Sequence, residues 1–458
     1  MITRSESAQG SWSSRVAFVL AAVGAAVGLG NIWKFPYVAG VSGGGAFMLV
    51  YLAAVLLIAM PVLIGELLIG RRGRHAPPIA MRTLASASGR SRHWKTVGGM
   101  GVTAGFLILS FYSVIAGWAM AYVFEAASGA FVGLDGTASS ERFNGLLGNA
   151  GRLIFWHTLF MALTTLIVCR GLQHGIERAV RVLMPALFAM LLVMVIYSIV
   201  AGDFAAGADF LFRPDFSRID GGVVLAAIGQ AFFSVGVAMG LMMAYGAYLP
   251  REVSLVRSSF IIIVADTLIA VLAGLAIFPI VFASGLDPAE GPGLIFVTLP
   301  VAFGNMPIGA IVGTVFFILL VFAAVTSAIA ILEPAVAWAS EKWMQPRMRV
   351  GIIAGALAWL VGLATVFSFN LWSQVRPLGM FEALAAMTLF DTIDYFTANI
   401  LMPLGGLLIA LFVAWRMNPD AVLDELGVRD TIWYRIWRLL IGIVAPMGIA
   451  VVFVANLI

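Results

Sequence analysis

Apolar runs long enough to cross a lipid bilayer recur along this chain, and they leave it a single fold class. A spanning helix needs about 20 predominantly apolar residues. Eleven segments meet that length: 14–37, 44–69, 97–127, 151–170, 176–200, 221–249, 256–283, 307–340, 348–370, 391–415 and 431–457. Of the 458 residues, 62% are hydrophobic and 11% charged, where soluble domains carry about 25% charge. A soluble enzyme, a disordered chain and a disulfide scaffold are excluded, the last also because Cys169 is the only cysteine. Lipid cannot satisfy exposed backbone groups, so the chain reads as an all-α polytopic membrane protein. No apolar leader precedes the first long helix, which is expected to act as its own insertion signal.

Lys and Arg give the orientation. The 70–96 loop holds seven: Arg71, Arg72, Arg74, Arg82, Arg90, Arg92 and Lys95. The 128–150 loop holds only Arg142, and the 170–181 turn holds Arg170, Arg178 and Arg181. The 284–306 loop holds none, while the 341–350 turn holds Lys342, Arg347 and Arg349. The alternation places the N-terminus in the cytoplasm and, with an odd span count, the C-terminus outside. The net charge of +4 is thus a topology signal, and no nucleic-acid partner is expected. The organisation expected is a cytoplasmic segment at 1–13, helices 1–5 over 14–200, an extracellular loop at 201–220, helices 6–10 over 221–415, a cytoplasmic loop at 416–430 and an eleventh helix over 431–458.

Two spans are interrupted in the same way. The first reads GAAVGLGN over Gly24–Asn31 and the sixth FSVGVAMG over Phe233–Gly240. Small residues of this kind also serve close helix packing. Their recurrence five spans apart points instead to two halves, spans 1–5 and 6–10, each opening with a broken helix. An odd number of spans per half inverts the second half, the pattern of an inverted-repeat transporter. Unwound carbonyls in mid-membrane suit small hard cations, and half-helix N-termini attract a carboxylate.

Ionisable residues inside a membrane cost about 2.5–3.5 kcal/mol on insertion scales. Glu66 and Asp266 lie within spans and call for a functional or break-supporting role. Lys34 and Asp394 have a second reading as interfacial side chains reaching water, as does Glu333. Asn31, Ser234, Thr326 and Ser327 offer oxygen beside the breaks, although a membrane Ser or Thr commonly just bonds the carbonyl a turn back.

Taken together, these segments resemble the neurotransmitter:sodium symporter family, whose fold is named for the bacterial leucine transporter. The matching stretches are WSSRVAFVLAAVGAAVGLGNIWKFPY from Trp12, GGGAFMLVY from Gly43, GQAFFSVGVAMG from Gly229, AAVTSAIAILEP from Ala323 and FDTIDYFTANI from Phe390. With eleven spans the chain is similar to the bacterial branch that includes a multi-hydrophobic amino acid transporter. The resemblance implies a 5+5 inverted repeat with discontinuous helices 1 and 6, plus an eleventh helix. It implies two sodium sites. The first would use the Ala26 carbonyl, Asn31, Ser234 and Asp266; the second, carbonyls of Gly24, Val27 and Ala323 with the hydroxyls of Thr326 and Ser327. An amino acid substrate would lie against Ala25, Ala26, Leu29, Gly30, Ile108, Tyr112, Phe233, Ser234, Gly236, Met239, Ser327 and Ile331. Tyr112 and Phe233 would form a thin outer lid, Lys34 and Asp394 an outer gate, and Trp12, Tyr248 and Glu341 an inner one. Glu66 would support the sixth-helix break.

The departures from the family pattern carry further expectations. Lys34 replaces an Arg, losing the bidentate fork. Gln9 stands where the inner gate usually has Arg, and Arg4 is out of register. Chloride-dependent relatives hold the anion near Tyr51, Gln230, Ser234 and a seventh-span Ser or Glu, which here is Ala270. Asp266, one turn earlier, supplies a fixed negative charge, so transport is expected to be chloride-independent, with Asp266 protonated on the empty return leg. Gly236 and Met239 replace a frequent Ser and Phe, and no charged group points into the pocket, so the expected substrate is an apolar L-amino acid of medium to large size. The alternatives are another small zwitterion, a sodium-dependent sensor or a channel. The four histidines lack metal spacing, and no nucleophile motif appears, so no catalytic residues are expected. The site of action is a bacterial inner membrane, and no obligatory protein partner is inferred.

Overall fold

The computed structural model describes residues 10–291, 293–428 and 431–456. Gln9 and Arg4 lie outside the described residues. Among the described residues, nine helices are long and apolar enough to cross a bilayer without interruption: Gly45–Gly73, Arg92–Ala127, Ala150–Cys169, Leu172–Ala201, Leu255–Ala283, Gly309–Trp343, Arg347–Ser368, Leu389–Arg416 and Ile432–Ala455. The first expected span is a pair, Arg15–Ala26 and Gly30–Val41, bent by 47°. The sixth is also in two pieces, Gly221–Val235 and Leu241–Ala247. Boundaries move by a few residues: the fifth span begins at Leu172 with a π-helical turn, and the first runs on to Val41.

Spans 3 and 8 form the middle of the molecule. In each, 78% of the most apolar stretch is buried within the protein, against 33% for spans 4, 5 and 11, whose remaining surface faces lipid. The broken spans 1 and 6 lie against this centre. The ends bearing the 70–96, 170–181 and 341–350 segments are here termed the basic face.

Each break has a local cause. In span 1, Ala26 ends the helix and Val27 is extended at φ −74°, ψ 107°. A Cβ on Gly28 would lie 2.3 Å from the Ser327 hydroxyl oxygen, so only glycine lets the strand and span 8 approach. In span 6, Gly236, Ala238 and Gly240 all take positive φ, at 70°, 66° and 74°. That geometry cannot continue a right-handed helix. The N–H of Ala238, freed by the break, donates to Glu66 Oε1 at 2.6 Å.

Hydrophobic burial does little to drive helices together in lipid, so close backbone approach matters more. Gly70 of span 2 illustrates this. A Cβ there would sit 2.0 Å from the Met243 carbonyl oxygen in the second piece of span 6. Gly70→Ala is expected to destabilise by about 1–3 kcal/mol, read as a lowered melting temperature in detergent. Gly99→Ala is the control: its Cβ meets nothing within 4 Å, and the change should stay within about 1 kcal/mol of the parent.

Candidate functional site

The two breaks meet beside spans 3, 7 and 8, and three groups of side chains gather there. Asn31, Ser234 and Asp266 form the first. All are buried. The Asn31 amide donates to Asp266 Oδ1 at 2.8 Å, to the Asp266 carbonyl at 3.0 Å and to Ser234 Oγ at 3.0 Å. Ser234 Oγ donates to Asp266 Oδ2 at 2.8 Å, and the Tyr51 hydroxyl reaches the same oxygen at 3.5 Å. Every polar neighbour of the carboxylate therefore donates to it, which is the arrangement an ionised acid requires. The Asn31 side-chain oxygen faces the other way and accepts from the Gly28 N–H at 3.2 Å.

The second group centres on Ser327. Its hydroxyl lies 3.3 Å from the Gly24 carbonyl, 3.3 Å from that of Ala25 and 3.0 Å from that of Val27. Thr326 Oγ1 donates within its own helix to the Ala323 carbonyl at 3.0 Å and the Phe322 carbonyl at 3.1 Å. Gly24 permits this closeness, since a Cβ there would meet Met184 Sδ at 3.0 Å and Thr326 Cβ at 3.3 Å. The cluster is a set of oxygens without nitrogen or sulfur, the donor type hard cations take. The Ala25 carbonyl joins it without having been anticipated from sequence.

Between the two groups lies a cavity of about 20 Å³, room for about one water molecule. Ala25, Ala26, Gly30, Ile108, Tyr112, Phe233, Gly236, Met239, Ser327 and Ile331 line it, as the sequence suggested. Leu29 and Ser234 do not line it. The N–H of Leu29 donates to the Tyr112 hydroxyl at 3.1 Å, and Ser234 turns to Asp266. Gly28 and Leu241 line it in addition.

At the expected outer gate the lysine lies against an aromatic ring. The Lys34 ammonium lies 4.1 Å from the centroid of the Phe233 ring, and no ion pair with Asp394 forms among the described residues. The ring's negative face competes for the cation, and Lys34 has no fork with which to span both partners. Phe233 also lines a second cavity of about 390 Å³ that opens on the face opposite the basic one, beside Lys34, Gln230 and Asn399. One aromatic ring thus divides the small cavity from the large one.

On the basic face the closure is thick, and Glu333 is a buried acid within it. The Trp12 indole donates to the Tyr245 carbonyl at 3.1 Å and its backbone N–H to the Tyr248 carbonyl at 3.3 Å. The Trp12 ring meets those of Tyr245 and Tyr248 edge-on, with centroids 5.2 and 6.3 Å away. The Tyr248 hydroxyl donates to Glu333 Oε1 at 2.8 Å, and Arg347 grips both Glu333 oxygens. Ser13 is held by Glu177 and Arg181 of span 5. Glu341 accepts from the Ala76 N–H at 3.1 Å and pairs with His75 at 3.4 Å, because the turn after span 2 presents those groups to the end of span 8. The sequence alone leaves Glu333 open between an intramembrane role and an interfacial one. Its spacing of 14 from Arg347 across a turn was the available signal.

The hydrogen bond to Glu341 holds the His75 pKa above its ordinary 6.5. A raised folded-state value means that the pair stabilises fully below pH 6.5 and that the gain disappears as pH rises through the raised value. His75 is 44% exposed, so the effect is small. His75→Gln should lower the melting temperature at pH 5.5 and leave it unchanged at pH 9.

Comparison with known proteins accords with this geometry. The sequence model of the sodium:neurotransmitter symporter family matches residues 9–132 and 141–458. The chain is 37% identical over 445 residues to an uncharacterized sodium-dependent transporter, YhdH, of Bacillus subtilis, covering 96% of each. It is 33% identical to an uncharacterized sodium-dependent transporter of Haemophilus influenzae, covering 97% of this chain and 98% of that one. The crystal structure of MhsT in complex with L-phenylalanine superposes with a TM-score of 0.89 at 41% identity, covering 98% of this chain and all of that one. Family and fold are those of transporters rather than enzymes, with the 5+5 inverted repeat opened by discontinuous helices 1 and 6. The chain belongs to the sodium:neurotransmitter symporter family and is a sodium-dependent, multi-pass membrane transporter.

Proposed function

We propose that the protein imports neutral hydrophobic L-amino acids across a bacterial inner membrane, driven by sodium, with the basic face in the cytoplasm, the N-terminus on that side and the C-terminus outside. The observation that carries the proposal is the position of one small, mostly apolar cavity between two groups of hard oxygen donors, with a one-ring partition on one side and a thick closure on the other. A carrier must present its site to one side at a time, and that asymmetry is what one half of the cycle requires. The neighbour solved with L-phenylalanine supports the substrate class.

In this reading two sodium ions bind. The first takes Asp266, Ser234, the Asn31 amide oxygen and the Ala26 carbonyl. The second takes the carbonyls of Gly24, Val27 and Ala323 with Thr326 and Ser327. Entry of the first ion replaces the Asn31–Asp266 hydrogen bond by a cation shared between the amide oxygen and the carboxylate. The substrate carboxylate meets the N–H groups near Leu29 and Gly30 and the Tyr112 hydroxyl, and its side chain lies among Ile108, Phe233, Met239 and Ile331. Lys34 and Asp394 approach as Phe233 closes. Each ligand raises the affinity of the other, because both order the same broken segments.

Asp266 makes chloride unnecessary. It places a fixed negative charge beside the first ion, and its protonation on the return leg gives proton countertransport. Reconstituted uptake tests the whole reading. Sodium-driven accumulation of Leu, Phe or Trp, unchanged in chloride-free buffer, is expected. Absence of sodium dependence overturns the reading, and stronger competition by a charged or osmolyte-like zwitterion redirects it to another small solute. Asp266→Asn should weaken sodium binding by at least about 30-fold, since losing one partner of a buried charge pair costs about 2–5 kcal/mol. Restoration of its uptake by chloride would identify the missing charge.

A further inference from the structure

The turn between spans 4 and 5 carries Arg170, His174 and Arg178, four residues apart and all exposed. Among the described residues none of the three makes a side-chain ion pair. Their neighbour Arg181, by contrast, is held by Glu177. The three basic groups stand at the mouth of a crevice of about 330 Å³ between spans 4, 5 and 8. Below them the walls are apolar, with Ile167 from span 4, Val182 from span 5 and Phe322 from span 8. No acidic residue lines it.

We propose that this crevice is a binding site for an anionic phospholipid, with the headgroup phosphate against Arg170, His174 and Arg178 and an acyl chain laid along Val182 and Phe322. The match is of charge above and apolarity below. Unpaired guanidinium groups at the end of a membrane helix attract anionic headgroups, and Arg presents the planar fork that suits a phosphate. A soluble anion has no use for the apolar wall, and a neutral lipid has none for the cations. The leaflet, that of the basic face, becomes the cytoplasmic one on the orientation proposed above; the site itself does not depend on that orientation.

The site has a structural neighbour. The π-helical turn Leu172–Glu177 includes His174. On the same turn Glu177 accepts from the Ser13 N–H at 3.1 Å, holding the segment that places Trp12 in the closure. A bound lipid therefore steadies the turn on which that segment rests.

The test is lipid retention by the purified full-length protein in micelles supplied with equimolar phosphatidylglycerol and phosphatidylcholine, read by native mass spectrometry. The parent protein should retain phosphatidylglycerol preferentially. Each basic group near an anionic headgroup is worth about fivefold, so Arg170→Gln with Arg178→Gln should cut the preference roughly 20-fold. Arg90→Gln with Arg92→Gln, an equal loss of charge elsewhere on the basic face, should leave it intact. Equal losses in the two double variants would reduce the effect to general surface charge and overturn the site. Displacement of the lipid by millimolar inorganic phosphate would overturn it in favour of a soluble anion. Because retention is read without transport, failure here is separate from failure of the uptake experiment. Both variants change exposed side chains, and an unchanged melting temperature confirms that they fold.

Discussion

A helix that unwinds inside a membrane leaves N–H and C=O groups that lipid cannot satisfy, and much of this molecule follows from meeting that demand twice. In the first span the loose groups are taken up by Ser327, which reaches three carbonyls, by the Tyr112 hydroxyl at the Leu29 N–H and by Asn31 at the Gly28 N–H. In the sixth, Glu66 takes the Ala238 N–H. Apart from Asn31, which lies in span 1 itself, these partners come from spans 2, 3 and 8, so each break is stitched to neighbouring helices. In the function proposed above, the polar groups that make the unwound backbone tolerable are also those offered to ions and substrate. Binding and structural repair then draw on the same atoms, which lets ligand occupancy reshape helices.

The same economy explains the unequal closures. Toward the opposite face, one phenylalanine ring with a lysine above it separates the small cavity from the large one. Toward the basic face stand a buried indole, two tyrosines and the buried Glu333 gripped by Arg347. An ion pair removed from water is strongly held only when geometry and hydrogen bonding are good. Here the Tyr248 hydroxyl adds a third donor to Glu333. Opening that side requires three elements to part together, whereas opening the other requires one ring to turn.

Much of this was legible in the sequence. Length and hydropathy gave the spans, because lipid enforces the signal residue by residue. The glycines of the two breaks gave their places to within a few residues, and the scarcity of charge singled out Asp266 and Glu66. What escaped was pairing across distant helices. Glu341 reads as a gate acid by its place in the chain, but its pairing with His75 and the Ala76 N–H depends on how the loop after span 2 folds beneath it. Glu333 reads as a residue reaching for water, yet it is fully buried because span 9 begins with an arginine aimed at it. Lys34 lies against the Phe233 ring, a neighbour from span 6. In each case the partner was set by packing, and no local pattern records it.

Pocket size shows the same limit from the apolar side. Gly236 and Met239, taken singly, enlarge and soften the cavity. Yet the ideal Cβ position on Gly236 lies 3.3 Å from a methyl of Leu241, five residues on and across the break. The leucine refills the room the glycine leaves. It can do so because three residues with positive φ, at 236, 238 and 240, turn the chain so that the Leu241 side chain lies beside Gly236. The volume a substrate meets is therefore a property of the break as a whole. Leu241, whose side chain has free rotamers where the glycine has none, is the part of it that can give way to a larger guest.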